Sequence, residues 1–206
     1  MQLLHTAANL SLAMNDDLDN ESDENLMLRY RDGDVNAFEV LYSRHKAALF
    51  RYFTRQCSEP AIAEELFQEC WMNVIKARKS YVDSAKFTTY VYTIAHNKLI
   101  DHYRRKKLQF IDILNANDSL DGINELPAPK KQQPEQIAVK QQKRAMLLLA
   151  VNLLPQVQRE VFLLREESAL SLAEIAKITN INIETVKSRL RYAIASLKKT
   201  IQTGDS

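Results

Sequence analysis

Apolar residues recur at spacings of three and four along most of the chain, and no stretch alternates polar and apolar in the manner of a half-buried strand. Asp34 stands where a helix cap is needed, ahead of Phe38, Leu41, Tyr42, His45, Leu49, Tyr52 and Phe53. Ser58 is placed to cap the next helix, with Pro60 in its first turn and Ile62, Leu66, Cys70, Trp71, Val74 and Ile75 as its buried stripe. A third long helix is predicted over 86–107, where Phe87, Tyr90, Val91, Ile94 and Ala95 lead into a basic end. Further on, helices are predicted over 136–154, stopped by Pro155, and over 156–167. Ser171-Leu172-Ala173-Glu174 has the form of a capping box, opening a short helix. Thr179 to Asn182 is a short polar turn, and Asn182 can cap a last helix to about residue 199.

Between the two helical groups, residues 115–136 carry three prolines, a glycine and little apolar periodicity. Proline fixes φ and removes a backbone donor, so this stretch reads as an extended linker. The predicted organisation is a disordered acidic tail over 1–23, a helical domain over 24–107, a linker over 108–136 and a second helical domain over 137–201. The chain of 206 residues has three glycines, too few for the turns of an all-β protein or for a phosphate-cradling loop. The fold class is therefore all-α, with two small domains on a tether.

Net charge is only +2, but the charge is segregated. Residues 1–28 carry −6, residues 29–107 carry +6, the linker carries −3 and residues 137–206 carry +5. Two basic blocks of this kind suit a polyanionic partner, although solvated helix faces would give the same count. No apolar run is long enough to cross a bilayer, and the N-terminus lacks the basic start of a signal peptide. Cys57 and Cys70 have no CxxC spacing and no neighbouring histidine, which suits reduced, buried thiols in a cytoplasmic protein. The four histidines are scattered, and neither a metal-ligand spacing nor a nucleophile motif is present, so neither an enzyme nor a cofactor is expected.

The last two helices and their four-residue turn fit a helix-turn-helix unit. At 100° per residue, Ile183, Val186, Leu190, Ala193, Ile194 and Leu197 share a stripe about 100° wide. Glu184, Thr185, Ser188, Arg189 and Tyr192 fall opposite, flanked by Lys187 and Arg191. Such a face offers cations for phosphate and long donors for base edges in a major groove.

At this point the sequence resembles a known family. LPQVQREVFLLREESALSLAEIAKITNINIETVKSRLRYAIASLKK over 154–199 is similar to region 4 of sigma-70-family factors. Residues 63–77 (AEELFQECWMNVIKA) resemble region 2.2, and residues 87–107 (FTTYVYTIAHNKLIDHYRRKK) resemble regions 2.3 and 2.4. The two regions joined by a short linker resemble the extracytoplasmic function (ECF) sigma factors. The resemblance implies a three- or four-helix bundle for the first domain and a helix-turn-helix for the second. It implies a factor that binds RNA polymerase core and directs it to promoter DNA, with no small-molecule substrate and with an anti-sigma factor as a further partner. Region 4 would read the −35 element through Glu184, Thr185, Lys187, Ser188, Arg189 and Arg191. Region 2 would capture the −10 element through Lys86, Tyr92, Asn97, Lys98, Asp101, Arg104 and Arg105. Aromatic rings among cations hold single-stranded bases by stacking. Polymerase contact would fall to Glu65, Gln68 and Glu69.

The chain departs from the family pattern at several places. Tyr90 stands for the usual tryptophan of region 2.3, Trp71 for a phenylalanine, and Asn180 and Glu184 for glycines. Asparagine tolerates the left-handed conformation, so the turn is kept. Two other readings fit part of the pattern. A stand-alone helix-turn-helix regulator would explain the C-terminal half but not the aromatic-basic segment 81–107. A helical adaptor that binds no nucleic acid is the other.

Overall fold

The computed structural model of the chain describes residues 18–116 and 137–204, with side chains over 18–106 and 145–202. Residues 1–17 and 117–136, which include most of the expected tail and linker, lie outside the described residues.

The first domain begins with α1 (Asp23–Arg31), capped by Ser22, whose hydroxyl accepts from the Asn25 N–H. A turn through Gly33 at φ 113°, a value that suits glycine, leads to α2 (Val35–Gln56). Asp34 caps α2 as expected, its carboxylate accepting from the Asn36 N–H at 3.1 Å. α3 (Pro60–Lys76) begins one residue later than the sequence suggests, with Glu59 rather than Ser58 at the cap position and no side-chain cap bond. Proline at the first helical position supplies the start by itself, because the donor it lacks would be unpaired there anyway. A single 3-10 turn (Arg78–Ser80) and a loop then lead into α4 (Phe87–Ala116). That helix runs on past residue 107, so the expected linker boundary at 108 falls inside it.

The core of this domain is aromatic. Trp71 meets Phe38 edge-on at 5.8 Å and Tyr42 at 5.0 Å, and Tyr30 packs on Phe38 at 4.6 Å. Contacts of this kind add about 0.5–1.5 kcal/mol each beyond the buried area. Phe87, Val91, Ala95 and Leu99 form the buried stripe of α4 at steps of four. Residues 18–23, expected to belong to the disordered tail, pack onto this core instead. Leu18 is buried, and Arg44 donates to the carbonyls of Leu18, Asp19 and Glu21. Asp23 pairs with Arg44 at 2.7 Å and with His45 at 2.6 Å. Glu24 accepts from the Phe87 N–H at 2.7 Å, capping α4 from a different helix. Asp23, at the end of the expected tail, and Glu24, at the start of the expected domain, thus have fixed partners in the fold.

The second domain comprises α5 (Ile137–Asn152), α6 (Gln156–Glu166), α7 (Leu172–Thr179) and α8 (Ile183–Gly204). Val161, Leu163, Leu164, Ile175, Ile178, Val186, Ala193 and Leu197 are buried among these helices. The two domains do not stand apart. α6 packs on α2 and α7 packs on α4, and the buried apolar residues of both halves form one continuous cluster. Among the described residues the architecture is all-α, a region 2 bundle and a region 4 unit closed on each other.

Candidate nucleic-acid and polymerase interfaces

The helix-turn-helix is fixed by local chemistry. Ser171 and Glu174 form the expected capping box, with the Ser171 N–H donating to Glu174 at 2.7 Å and the Glu174 N–H donating to Ser171 at 3.2 Å. The Ser171 hydroxyl, its N–H and the Lys86 ammonium hold the Glu174 carboxyl down at about 2. Asn180 ends α7 in the left-handed conformation, φ 52° and ψ 42°, as the turn requires. Asn182 then caps α8, accepting from the Thr185 N–H at 2.7 Å.

α8 turns Val186, Ala193 and Leu197 into the core, with Leu190 half-buried beside them. Ile183 and Ile194, placed in the apolar stripe by periodicity, are exposed. Of the six residues expected at the −35 element, Glu184, Lys187 and Arg191 are exposed, while Thr185, Ser188 and Arg189 are half-buried. Lys187 donates to Glu184 at 2.7 Å, one turn apart, and Arg191 lies over the Tyr192 ring at 5.3 Å. The outward face thus carries two long cations, one of them already paired with an acid that a cytosine amino group could also occupy.

The region 2 set is arranged differently. Tyr92, expected to contact DNA, is only 2% exposed. Its ring lies edge-on against Tyr52 at 5.3 Å, on the side of α4 that faces the second domain. Lys86 is paired with Glu174 of α7 at 3.0 Å. Lys98 is paired with Glu69 of α3 at 2.8 Å. Asp101 pairs with Arg104 at 3.0 Å, and its carbonyl accepts from Arg105 at 3.4 Å. Asn97, Arg104 and Arg105 are exposed. Phe87, read from the sequence as core, is buried; Tyr90 and Ile94 are half-buried.

On the polymerase set, Glu65 and Gln68 are exposed on α3, whereas Glu69 is half-buried and bonded to Lys98. Glu65 shares a shallow groove with Glu59, Ile62, His102, Arg105 and Lys106.

The residues that join the domains were not singled out by the sequence. Glu160 of α6 is nearly buried and accepts from the Tyr52 hydroxyl at 3.0 Å, while His96 Nδ1 lies 2.5 Å from the same oxygen. Burial, with the Glu160 charge beside it, pushes the Tyr52 hydroxyl well above its usual range, so it stays a donor. A buried carboxylate is tolerated only with such partners, and removing one partner of a buried ion pair commonly costs about 3–5 kcal/mol. The signal was present, since Glu160 is a charge set among the apolar positions of an amphipathic helix. Glu167 pairs with Arg51 at 3.0 Å and with Arg55. Among the described residues no cluster of histidine, cysteine or acids could hold a metal ion.

Comparison with known proteins gives this arrangement a family. Residues 41–109 match the Sigma-70 region 2 family and residues 144–197 match the Sigma-70, region 4 family. The chain is 30% identical over 182 residues to the ECF RNA polymerase sigma factor SigF of Caulobacter vibrioides, spanning 87% of this chain and 94% of that protein. It is 29% identical over 175 residues to the RNA polymerase sigma factor YlaC of Bacillus subtilis, spanning 84% of this chain and 95% of that protein. Its fold matches the sigma factor RpoE of Bartonella quintana, solved in complex with the anti-sigma factor NepR. That match has a TM-score of 0.61 and 22% identity over 80% of this chain and 96% of that one. The chain belongs to the ECF group of the sigma-70 family. It is a promoter-directing transcription initiation factor of RNA polymerase.

Proposed function

We propose that α8 enters the major groove of a duplex −35 element, with Lys187 and Arg191 leading and with Glu184, Thr185, Ser188 and Arg189 beside them. The observation that carries this reading is the double-capped helix-turn-helix with exposed cations on its outer helix. A cation that meets a phosphate releases counterions, and one that meets guanine donates to N7 and O6. The first domain captures the −10 element as a single strand, using Asn97, Asp101, Arg104 and Arg105 on the open end of α4 together with the exposed Lys86, with Lys98 once it leaves Glu69, and with Tyr92 once that ring is uncovered. Glu65 and Gln68, with Glu69 beside them, meet polymerase core.

In this reading the protein acts in the cytoplasm and catalyses nothing itself; the chemistry of RNA synthesis belongs to the polymerase. No described helix is long and apolar enough to cross a membrane, which suits that location. An anti-sigma factor is its natural antagonist, as NepR is bound to RpoE in the similar structure.

Run-off transcription with purified core polymerase tests the reading. The expected result is transcripts from a restricted set of start sites, present only when the chain is added. Tight duplex binding by the chain alone, with no transcript and no capture by core polymerase, would instead make it a stand-alone regulator.

A further inference from the structure

The segment that joins the 3-10 turn to α4, residues 81–86, is held at both ends by α1 rather than by its own sequence. α4 begins at Phe87, and the residue before it is Lys86, whose ammonium donates but cannot accept. The first turn of a helix needs acceptors for its amides. One comes from 63 residues away: the Glu24 carboxylate accepts from the Phe87 N–H at 2.7 Å. A carboxylate there also meets the positive end of the helix dipole. At the other end of the segment, the Arg78 guanidinium lies over the Tyr30 ring at 5.3 Å. Glu24 and Tyr30 both belong to α1, about 9 Å apart along its axis at 1.5 Å per residue.

α1 is itself fixed. Asp23 pairs with Arg44 at 2.7 Å and with His45 at 2.6 Å, and the His45 ring rests on Phe87 at 5.2 Å. Between its anchors the segment has little of its own. Tyr81 is buried, whereas Val82, Asp83, Ser84 and Lys86 are exposed. The backbone bond within it runs from the Ser84 N–H to the Val82 carbonyl at 2.9 Å. We propose that Glu24 is a positioning residue for −10 capture. Through the Phe87 N–H it fixes the first turn of α4, and with it the segment 81–86 and the Lys86 ammonium that meet the single strand. This inference rests on the reading of the first domain as the −10 surface, and it gives α1 a part in that surface without contact to DNA. A single strand has many conformations, so a surface that selects one needs its side chains held within about 0.5 Å by the residues behind them. An exposed segment between two helices does not reach that precision unsupported.

The test uses the full chain assembled with core polymerase. The probes are the upstream duplex and the −10 single strand of a promoter located by run-off transcription. Glu24→Ala removes the acceptor. It should weaken retention of the single strand at least fivefold and lower the permanganate reactivity of −10 thymines. Core capture, upstream duplex binding and helix content by circular dichroism should stay as in the native chain. Glu24→Gln removes the charge but keeps a carbonyl oxygen at the same reach, and should recover most of the retention. Amide exchange at Phe87 should be fast in Glu24→Ala and slow in the native chain and in Glu24→Gln. Glu39→Ala removes an exposed acid of α2 and should change none of these readouts. If Glu24→Ala does not fold, Glu24→Asp keeps the charge but falls one methylene short of the amide, and should lose retention in its place. Native retention in the variant that lacks the bond, or Glu24→Gln retaining no more than that variant, would overturn the positioning role. Either result leaves the −10 reading standing. A native assembly that retains no single strand would overturn that reading, and the role of Glu24 with it.

Discussion

Two basic helical surfaces of this molecule have similar sequence character and different surroundings. On α8, Lys187 and Arg191 stand in the open, with one internal pair and one ring contact. Along the start of α4, Tyr92 is covered, Lys86 is engaged by the second domain and Lys98 by α3. Periodicity marks the first as a DNA face, and the family resemblance implies the same of the second. What separates them is which other helix lies on top. A cation is useful to a nucleic acid only if its present partner is weaker than phosphate, and exposed ion pairs are weak, commonly worth about 0–1 kcal/mol. Lys86, whose side chain is exposed, is therefore held weakly by Glu174, whereas the Tyr92 ring is buried against Tyr52.

The contrast can be broken or sharpened by substitution. The largest effect is expected in the aromatic core that supports α4. Trp71→Ala should destabilise the fold by about 3–5 kcal/mol in chemical denaturation, since it empties the centre of the Phe38–Tyr42–Trp71 cluster. A much smaller loss would mean the first domain is held mainly by its contact with the second. Next, Lys187→Ala should weaken promoter duplex binding by about 1–3 kcal/mol if Lys187 reaches a base edge. Arg189→Ala, from a half-buried position, tests whether the groove also reaches inward. Lys98→Ala should leave duplex binding by the free chain unchanged, and an equal loss would erase the distinction between the two faces. Ser171→Ala should cost about 1 kcal/mol, because it removes one arm of the capping box that sets the helix-turn-helix.

The smallest effects concern titration. Glu174 is held at about 2, below the ordinary carboxylate value. Its stabilising contribution is therefore complete above about 4.5 and is lost as pH falls toward 2. A carboxylate resonance assigned to Glu174 that titrates near 4.5 would show that the capping box is not formed. Burial pushes the Cys70 thiol up to about 12 and the Cys57 thiol up to about 11. Alkylation of the native chain at pH 8 should accordingly be slower than that of free cysteine by at least about tenfold, because the thiolate is the reacting form.

Much of the fold was legible because it is locally encoded. The Asp34 cap, the Ser171–Glu174 box, the Asn180 turn and the buried stripes of α2, α3 and α8 all follow from residues within one helical turn of each other. The α1 helix is not legible in the sequence because it is nine residues long, with its three buried side chains crowded into Leu26, Met27 and Tyr30. The roles of the acids at its start are not legible either, because their partners, Arg44, His45 and the Phe87 N–H, are more than twenty residues away. The site divided along the same line. The exposed part of the recognition face on α8 was readable from the helix alone. The burial of Tyr92 was not, because its ring packs on Tyr52 of another helix, far away in the chain.

The most direct measurement is a footprint of one promoter by the chain alone and by the chain with core polymerase, with permanganate reporting unpaired thymines. The account predicts that the free chain protects at most the upstream duplex element and opens no base pairs. With core polymerase, both elements should be protected and thymines in the downstream one should become reactive. Downstream protection or base opening by the free chain, or no upstream protection in the complete assembly, would contradict it.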